Sequence, residues 1–217
     1  KEADTDSFVE RNSLAKDHHN AGMKIVKEDG SIYVFGKTVY NIKKVEATFD
    51  VSGRSGDNVT GIVNYNGNVS GNHSSISDKF ENVVTTPAYA HSYLLTSVLS
   101  SDYEDIDNNG VSDNDLGSYT KFEYTKQGDA NYISNYKWRT PYGLNQASYN
   151  EGLKTSRRDQ KGNYIYGVKE VTYLKKIETK THIAFFDLQD RKDAMAVNGE
   201  NGGRDNNTAL KSIKSIR

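Results

Sequence analysis

The residues with the clearest chemical potential form one acidic stretch, residues 100–117. Within it, oxygen-bearing side chains fall at alternate positions, and a glycine, Gly110, interrupts them. Glycine permits the sharp turn that would fold these oxygens around one centre. The sequence therefore predicts a calcium loop whose ligands are Asp105, Asp107, Asn109, the backbone carbonyl of Val111, Asp113 and Asp115.

The charge of this stretch agrees with a calcium site. It contains six acidic residues and no basic one, and like charges repel at close range unless a cation or open water screens them. Calcium takes about six to eight hard oxygen ligands. Leu116 stands where an EF-hand loop has its bidentate Glu, so the last ligands would come from elsewhere. The alternative is a solvated acidic turn, because Asp, Asn and Gly are ordinary turn residues.

Recognisable catalytic patterns are missing from the sequence. There is no cysteine nucleophile and no Gly-x-Ser-x-Gly elbow. The phosphate-binding glycine motifs are absent too, and the five histidines lack the spacings of a zinc site. We therefore predict no catalytic site. A glycoside hydrolase is the remaining enzyme alternative, since its two carboxylates need not be close in sequence.

A group of aromatic residues forms a second candidate site. Three of its members share the parity of one strand and would project from the same face. A buried sheet face is the commoner reason for such a pattern, and a sugar-stacking platform is the alternative. The candidate glycan-binding residues are Tyr132, Tyr136, Trp138 and Tyr142.

The elements that would position these residues are strands. Val45, Ala47, Phe49 and Val51 alternate with polar residues, which is typical of a sheet with one buried face. Asp29-Gly30 separates two apolar runs and predicts a hairpin. The 15 Tyr, 7 Phe and 1 Trp among 217 residues also favour sheet.

The predicted fold class is all-β, with antiparallel sheets and hairpins joined by long polar loops in an open shell-like or sandwich-like module. Residues 1–20 are predicted to be a flexible lead-in, with a short helix at residues 7–10 as the alternative, and residues 21–217 to form the β-rich module. Strands are predicted at residues 23–27, 31–35, 44–51, 62–65, 89–99, 119–125, 132–138, 163–166, 169–179 and 182–186. A short helix is the competing prediction for 89–99. Loops are predicted at residues 52–75, 140–162 and 198–207.

The charge balance and hydropathy bear on possible partners. The net charge is −1, from 28 basic and 29 acidic residues, so no bulk field would attract nucleic acid or an anionic membrane. No apolar run approaches the length of a transmembrane helix. We predict neither nucleic-acid binding nor direct membrane insertion.

Five stretches carry a resemblance to a known group of proteins: GMKIVKEDGSIYVFG at 22–36, TPAYAHSYLL at 86–95, DNDLG at 113–117, YKWRTPY at 136–142 and THIAFF at 181–186. Together they resemble a region of very large cell-surface or secreted proteins of Bacteroidota. That region is similar to the β-rich parts of Rhs/YD-repeat and insecticidal toxin-complex proteins. The resemblance implies a fragment of a long exported chain at the surface of, or outside, a Gram-negative bacterium. No catalytic residues carry over from it.

The sequence thus leads to three functional hypotheses. The first is a non-catalytic structural module, stabilised by calcium, whose partners are other segments of the parent chain or of a surface assembly. The second is a glycan-binding module that uses the aromatic strand face. The third is a glycoside hydrolase.

Overall fold

The protein is built from two seven-stranded antiparallel sheets, which confirms the all-β prediction. The computed structural model describes residues 6–51, 57–65, 81–149 and 160–217. The strands are β1 (Met23–Val26), β2 (Ile32–Phe35), β3 (Lys37–Asp50), β4 (Ile62–Asn64), β5 (Glu81–Thr86), β6 (Tyr89–Leu94), β7 (Ser97–Leu99), β8 (Tyr119–Tyr124), β9 (Ile133–Thr140), β10 (Gln146–Tyr149), β11 (Lys161–Val171), β12 (Leu174–Thr179), β13 (Ile183–Val197) and β14 (Arg204–Ile216). One short helix, α1 (Asp57–Thr60), precedes β4.

Sheet I has the strand order β1-β2-β7-β8-β12-β13-β14. Sheet II has the order β4-β10-β11-β3-β5, in which β6 also pairs with β3 and β9 also pairs with β11. No described helix is long and apolar enough to span a membrane.

Three pairs of strands run almost without interruption from one sheet into the other. Only Gly36 separates β2 from β3, residues 95–96 separate β6 from β7, and residues 172–173 separate β11 from β12. At Gly36 the chain passes from sheet I into sheet II. The N-terminal segment packs directly against the backbone there, because a Cβ at Gly36 would overlap the carbonyl oxygen of Phe8. These short connections leave the two sheets little freedom to move relative to each other.

Each sheet has its own apolar core. In sheet II the predicted alternation is confirmed, because Val45, Ala47, Phe49 and Val51 are all buried. The core of sheet I is a smaller cluster of Val34, Leu99, Val111 and Tyr119, against which Phe8, Ile32 and Tyr103 pack. Val111 belongs to the acidic stretch, so that stretch is anchored in the core of sheet I.

The β13–β14 hairpin belongs to sheet I but also packs on sheet II. Its tip reaches sheet II, where Val197 is buried in the core cluster. The Tyr164 hydroxyl donates to the Glu200 carboxylate at 2.9 Å, and Arg139 Nε donates to the Glu200 carbonyl at 2.7 Å. The last hairpin of the chain therefore closes one side of sheet II.

Several predicted boundaries differ from the observed ones. The predicted strand at 89–99 is two strands, β6 and β7, divided at residues 95–96, and the competing helix is not found there. β14 begins at Arg204, within the predicted loop 198–207. The predicted loop 140–162 contains β10 and the start of β11.

Some predictions lie partly or wholly outside the described residues. Residues 52–56 and 66–75 of the predicted loop 52–75, and residues 150–159 of the predicted loop 140–162, lie outside the described residues. In the N-terminal segment, residues 6–20 form turns rather than the alternative helix at residues 7–10, and the Glu10 backbone N–H donates to the Gly36 carbonyl at 2.7 Å. The flexibility predicted for residues 1–20 stays a prediction.

Truncation of Phe49 tests the core of sheet II. Its ring contacts Tyr65 and Tyr164 edge-on, at centroid distances of 5.0 and 6.1 Å. We predict that Phe49→Ala lowers the free energy of unfolding by about 3–5 kcal/mol, because lost burial and a residual cavity add together. Equilibrium denaturation in urea measures the change. In the control Val84→Ala, where the side chain is 48% exposed, we expect less than about 1 kcal/mol; equal losses would contradict the assigned core.

Candidate metal centre

The acidic stretch forms the connection between β7 and β8. Its base is closed by a bond from the Ser100 N–H to the Ser118 carbonyl at 2.9 Å. One step inward, Glu104 and Leu116 form an isolated antiparallel bridge with N···O distances of 3.3 and 3.1 Å. We call residues 104–116 the acidic loop. Its two ends are held together as in a hairpin, so its carboxylates are confined to a small volume.

Three carboxylates converge inside the acidic loop. Asp105, Asp107 and Asp115 each place one carboxylate oxygen within 4.8 Å of the other two. Asp115 is only 2% exposed, Asp105 is half-buried and Asp107 is exposed. The cluster therefore extends from a buried group to the surface.

The backbone of the acidic loop takes the left-handed turns that the sequence suggested. Gly110 has φ +89°, and a Cβ there would lie 2.8 Å from the Ser7 carbonyl oxygen. Asn108 also has positive φ, 56°, which Asn tolerates better than most residues. The turn directs the Gly110 N–H at Asp105 Oδ2, 3.0 Å away. Ser7 Oγ donates to the same oxygen at 3.3 Å.

Asp115 is a buried anion held by hydrogen bonds. It accepts from the Tyr103 hydroxyl at 2.6 Å, from the Ser112 N–H at 2.8 Å and from the Ile106 N–H at 3.4 Å. Burial by itself raises the pKa of Asp115, but these bonds outweigh it and lower the pKa below the ordinary value. Asp115 is therefore ionised at neutral pH.

The other three predicted ligand groups each make a hydrogen bond within the protein. Asp113 accepts from the Tyr119 hydroxyl. The Val111 carbonyl accepts from Lys121 Nζ at 2.7 Å, and the Asn109 amide donates to Asp107 Oδ2 at 2.7 Å. The structure brings together Asp105, Asp107 and Asp115 and engages the other three groups in protein contacts.

Two lysines next to the acidic loop were not foreseen. Lys121 of β8 binds the Val111 carbonyl, as described above, and Lys180 Nζ donates to the Asp115 carbonyl at 2.6 Å. Lys180 lies in the turn between β12 and β13. Local sequence could not reveal either contact, because each depends on strands that are brought together by sheet pairing.

The donor set of the cluster suits a hard divalent cation. All three groups are carboxylates, with no imidazole or thiolate among them, and oxygen-only sets select calcium, magnesium or manganese over zinc. Asp105, Asp107 and Asp115 are the residues that would hold the ion. Further oxygens from water or backbone would complete a coordination number of about six to eight.

The four candidate glycan-binding residues differ in their surroundings, although Tyr136 and Trp138 share one face of β9. Tyr136 is buried, and its hydroxyl donates to the Ala194 carbonyl at 3.4 Å. Trp138 lies over Gly167, where a Cβ would be 2.5 Å from the indole. The Tyr132 hydroxyl donates to Glu170 at 2.8 Å. Tyr142 is exposed, although its hydroxyl donates to the Ala196 carbonyl at 3.2 Å. Internal packing and hydrogen bonds thus involve all four.

A cleft of about 600 Å³ lies beside the acidic loop, between the N-terminal segment and β8. Two ion pairs lie among its charged lining groups. Lys37 binds Glu10 at 2.9 Å and Lys175 binds Asp129 at 3.4 Å. These contacts engage four of the charged side chains of the cleft.

Acid unfolding of the metal-free protein tests the role of Asp115. Because its pKa is lowered in the folded state, its ionised form contributes stability that is fully present above the ordinary value of 3.8 and is lost as the pH falls through the folded-state pKa. Tyr103→Phe removes one of the bonds that lower this pKa. We predict that it costs about 1–2 kcal/mol near neutral pH and progressively less in acid.

Unfolding free energies measured in chelator from about pH 6 to about pH 2 give this difference. Tyr33→Phe is the matched control, because it removes a surface hydroxyl that binds Lys27 Nζ at 3.0 Å. The same pH profile in both variants would contradict the role assigned to the Tyr103–Asp115 bond.

Comparisons with known proteins give no further guide to the chain. No protein-family model, no curated protein and no solved structure matches it. The geometry of the acidic loop and the sequence resemblance described above are therefore the two indications of function.

Proposed function

We propose that this chain is a non-catalytic structural module of a large exported bacterial surface protein, and that a calcium ion at Asp105, Asp107 and Asp115 stabilises it. The observation that carries the proposal is the convergence of these three carboxylates, one of them buried and ionised. Three negative charges at this separation repel one another. A divalent cation between them would turn the repulsion into attraction.

The position of the acidic loop supports a stabilising role. The loop joins β7 to β8, places Val111 in the core of sheet I, and contacts the N-terminal segment through Ser7. Phe8 of that segment packs edge-on against Tyr103 at a centroid distance of 6.2 Å. An ion that fixes the loop would therefore hold the N-terminal segment against sheet I as well.

The surface location is supported by the resemblance to Bacteroidota cell-surface proteins. Calcium fits that location, because extracellular modules bind it with dissociation constants of about 10⁻⁴ to 10⁻³ M. A site with three carboxylates, partly open to water, belongs to this weak range. The partners would be other segments of the parent chain or of a surface assembly.

A non-catalytic role is supported by the paired charges of the cleft beside the loop. Binding of glycan through Tyr142 remains the second hypothesis, and its support is the exposed ring of that residue. It is the weaker one, because Tyr136 and Trp138 pack inside the module.

Thermal unfolding in calcium and in chelator tests the metal site. At a calcium concentration about a hundredfold above the dissociation constant, binding to the folded state adds about 2.7 kcal/mol. For a chain of this size we predict a rise in Tm of roughly 5–10 °C. Asp105→Asn/Asp107→Asn should abolish this rise.

Two control variants in the connection between β7 and β8 make the test more specific. Asp102→Asn changes an exposed carboxylate that binds Ser100 and lies outside the cluster, so it should keep the calcium response. Asp113→Asn should also keep it, since Asp113 is bound to Tyr119. A wild-type Tm that is the same in calcium and in chelator would refute the calcium site.

A further inference from the structure

The tip of the β13–β14 hairpin, residues 198–203, binds sheet II through polar groups whose positions are set by one short turn. The Asn198 carbonyl accepts from Lys137 Nζ at 3.2 Å. The Glu200 carboxylate lies 3.4 Å from Lys43 Nζ, in addition to the contacts of Glu200 described above. A change in the backbone of this turn would therefore move several docking groups at once.

This turn contains two pairs in which glycine follows asparagine, Asn198-Gly199 and Asn201-Gly202. A third pair, Asn109-Gly110, lies in the acidic loop, and a fourth, Asn66-Gly67, lies outside the described residues. Asparagine is among the thermolabile residues of proteins. Before glycine, its side-chain carbonyl is open to attack by the next backbone nitrogen, because glycine has no side chain to block the approach and restricts the backbone least.

The Asn109-Gly110 pair is held on both sides of the bond that would have to form. The Gly110 N–H donates to Asp105 Oδ2 at 3.0 Å. The Asn109 side-chain amide donates to Asp107 Oδ2 at 2.7 Å. Gly110 is itself buried, and the backbone of Ser7 packs against it. The Gly110 nitrogen can therefore attack only after these contacts have opened.

The Asn201-Gly202 pair is restrained in the same way. The Gly202 N–H donates to the Gly199 carbonyl at 2.9 Å. Asn201 Oδ1 accepts from the Tyr65 hydroxyl at 3.3 Å. A Cβ at Gly202 would lie 2.5 Å from the Gly143 carbonyl oxygen, so the backbone is closely packed there. Both the attacking nitrogen and the side chain under attack are held by the protein.

The Asn198-Gly199 pair lacks these restraints. Asn198 is exposed, and its side-chain amide makes no hydrogen bond within the part of the chain that the structure describes. The Gly199 N–H makes none there either. A Cβ at Gly199 would meet nothing within 4 Å, so open space surrounds the nitrogen. Of the described pairs, this is the one whose reacting atoms are free to approach each other.

We propose that Asn198 is a site of spontaneous deamidation, and that its isoaspartyl product releases the hairpin tip from sheet II. The Gly199 nitrogen forms a bond to Asn198 Cγ, the Cγ–Nδ2 bond breaks, and ammonia leaves with the proton of the Gly199 N–H. The product is a cyclic imide. Solvent water adds to one of the imide carbonyls and returns a proton to the Gly199 nitrogen as the ring opens, which leaves an aspartyl or an isoaspartyl residue.

The isoaspartyl product alters the turn because its backbone passes through the former side-chain carbons. The chain becomes longer by one carbon–carbon bond, about 1.5 Å, and the former Asn198 carbonyl becomes part of a free carboxylate. The Tyr164–Glu200 bond is 2.9 Å long, and hydrogen bonds tolerate a displacement of only a few tenths of an ångström. The tip therefore loses contacts with sheet II. This modification goes beyond the proposed structural role and is independent of the calcium site.

Deamidation rates at each pair test the first half of the proposal. The wild-type chain is incubated in chelator at mildly alkaline pH, once folded and once in concentrated urea, and peptide mapping by mass spectrometry follows each pair. In urea the pairs lose their local structure and should react at similar rates. Folding should slow Asn109 and Asn201 by at least about tenfold, since their hydrogen bonds must open first, and Asn198 by less than about threefold. Protection of Asn198 as strong as that of the other two overturns the proposal.

Gly199→Ala tests which atom attacks. Gly199 does not have the positive φ of Gly202 and Gly203, and the added Cβ would meet open space, so the fold should be unchanged. The methyl group hinders the approach of the nitrogen to Asn198 Cγ. We expect deamidation of Asn198 to slow several-fold while the rate at Asn109 stays the same. An unchanged rate at Asn198 would exclude the Gly199 nitrogen as the attacking atom and overturn the mechanism.

Two amide protons report whether the hairpin tip stays docked. The Asn145 N–H donates to the Asn201 carbonyl at 2.7 Å, and the Gly203 N–H donates to the Tyr142 carbonyl at 3.1 Å. In the isoaspartyl form, separated by ion exchange, both protons should exchange with solvent at least about tenfold faster than in the unmodified protein. Asn198→Asp carries the same added charge on an unaltered backbone and should keep both protons protected.

Two results would overturn the release of the hairpin. Unchanged exchange in the isoaspartyl form would show that the tip keeps its contacts despite the longer backbone. Equal loss of protection in the isoaspartyl form and in Asn198→Asp would assign the effect to charge instead. Circular dichroism of each form confirms that the comparison is between folded proteins.

Discussion

The pairing of β3 with β11 is the interaction on which the rest of the molecule depends. These two long strands form an almost continuous ladder from Asp50 opposite Lys161 to Asn41 opposite Lys169. β5 and β6 attach to β3, β9 and β10 attach to β11, and sheet I begins where the two long strands continue into β2 and β12. The partners are far apart in sequence, so the ladder brings together segments that local interactions could not. The core of sheet II is built around it.

The acidic loop poses a different physical problem, which is how to keep a buried carboxylate charged. The fold meets this cost with hydrogen bonds to the Asp115 carboxylate, while Lys121 and Lys180 bind backbone carbonyls of the loop. The other two carboxylates of the cluster, Asp105 and Asp107, lie closer to the surface. The loop therefore places its least solvated charge where backbone and tyrosine donors surround it, and its more solvated charges where water can reach them.

Sequence reasoning succeeded where one local pattern determined the structure. The run from Val45 to Val51 was predictable because its apolar residues alternate with polar ones and all lie on the buried face, even though the polar Asp50 is buried too. The residues Thr38, Val39 and Tyr40 were not, because all three are buried and their hydropathy does not alternate. In the acidic loop, the alternate spacing correctly indicated that Asp105 and Asp107 converge. It could not indicate that Tyr119 and Lys121 of β8 would engage Asp113 and the Val111 carbonyl, since those contacts arise from the strand that follows the loop.

The docking of the β13–β14 hairpin has a consequence for how the chain folds. Val197 completes a core whose other members include Val45 and Phe49, which belong to a much earlier part of the sequence. The core of sheet II therefore stays incomplete until this late hairpin has formed and its tip has reached Arg139 and Tyr164. Folding in which such distant segments must meet carries a large loop-closure entropy and is slow. During synthesis, the part of this core that Val197 covers would stay open to solvent, or to chaperones, until this hairpin has left the ribosome.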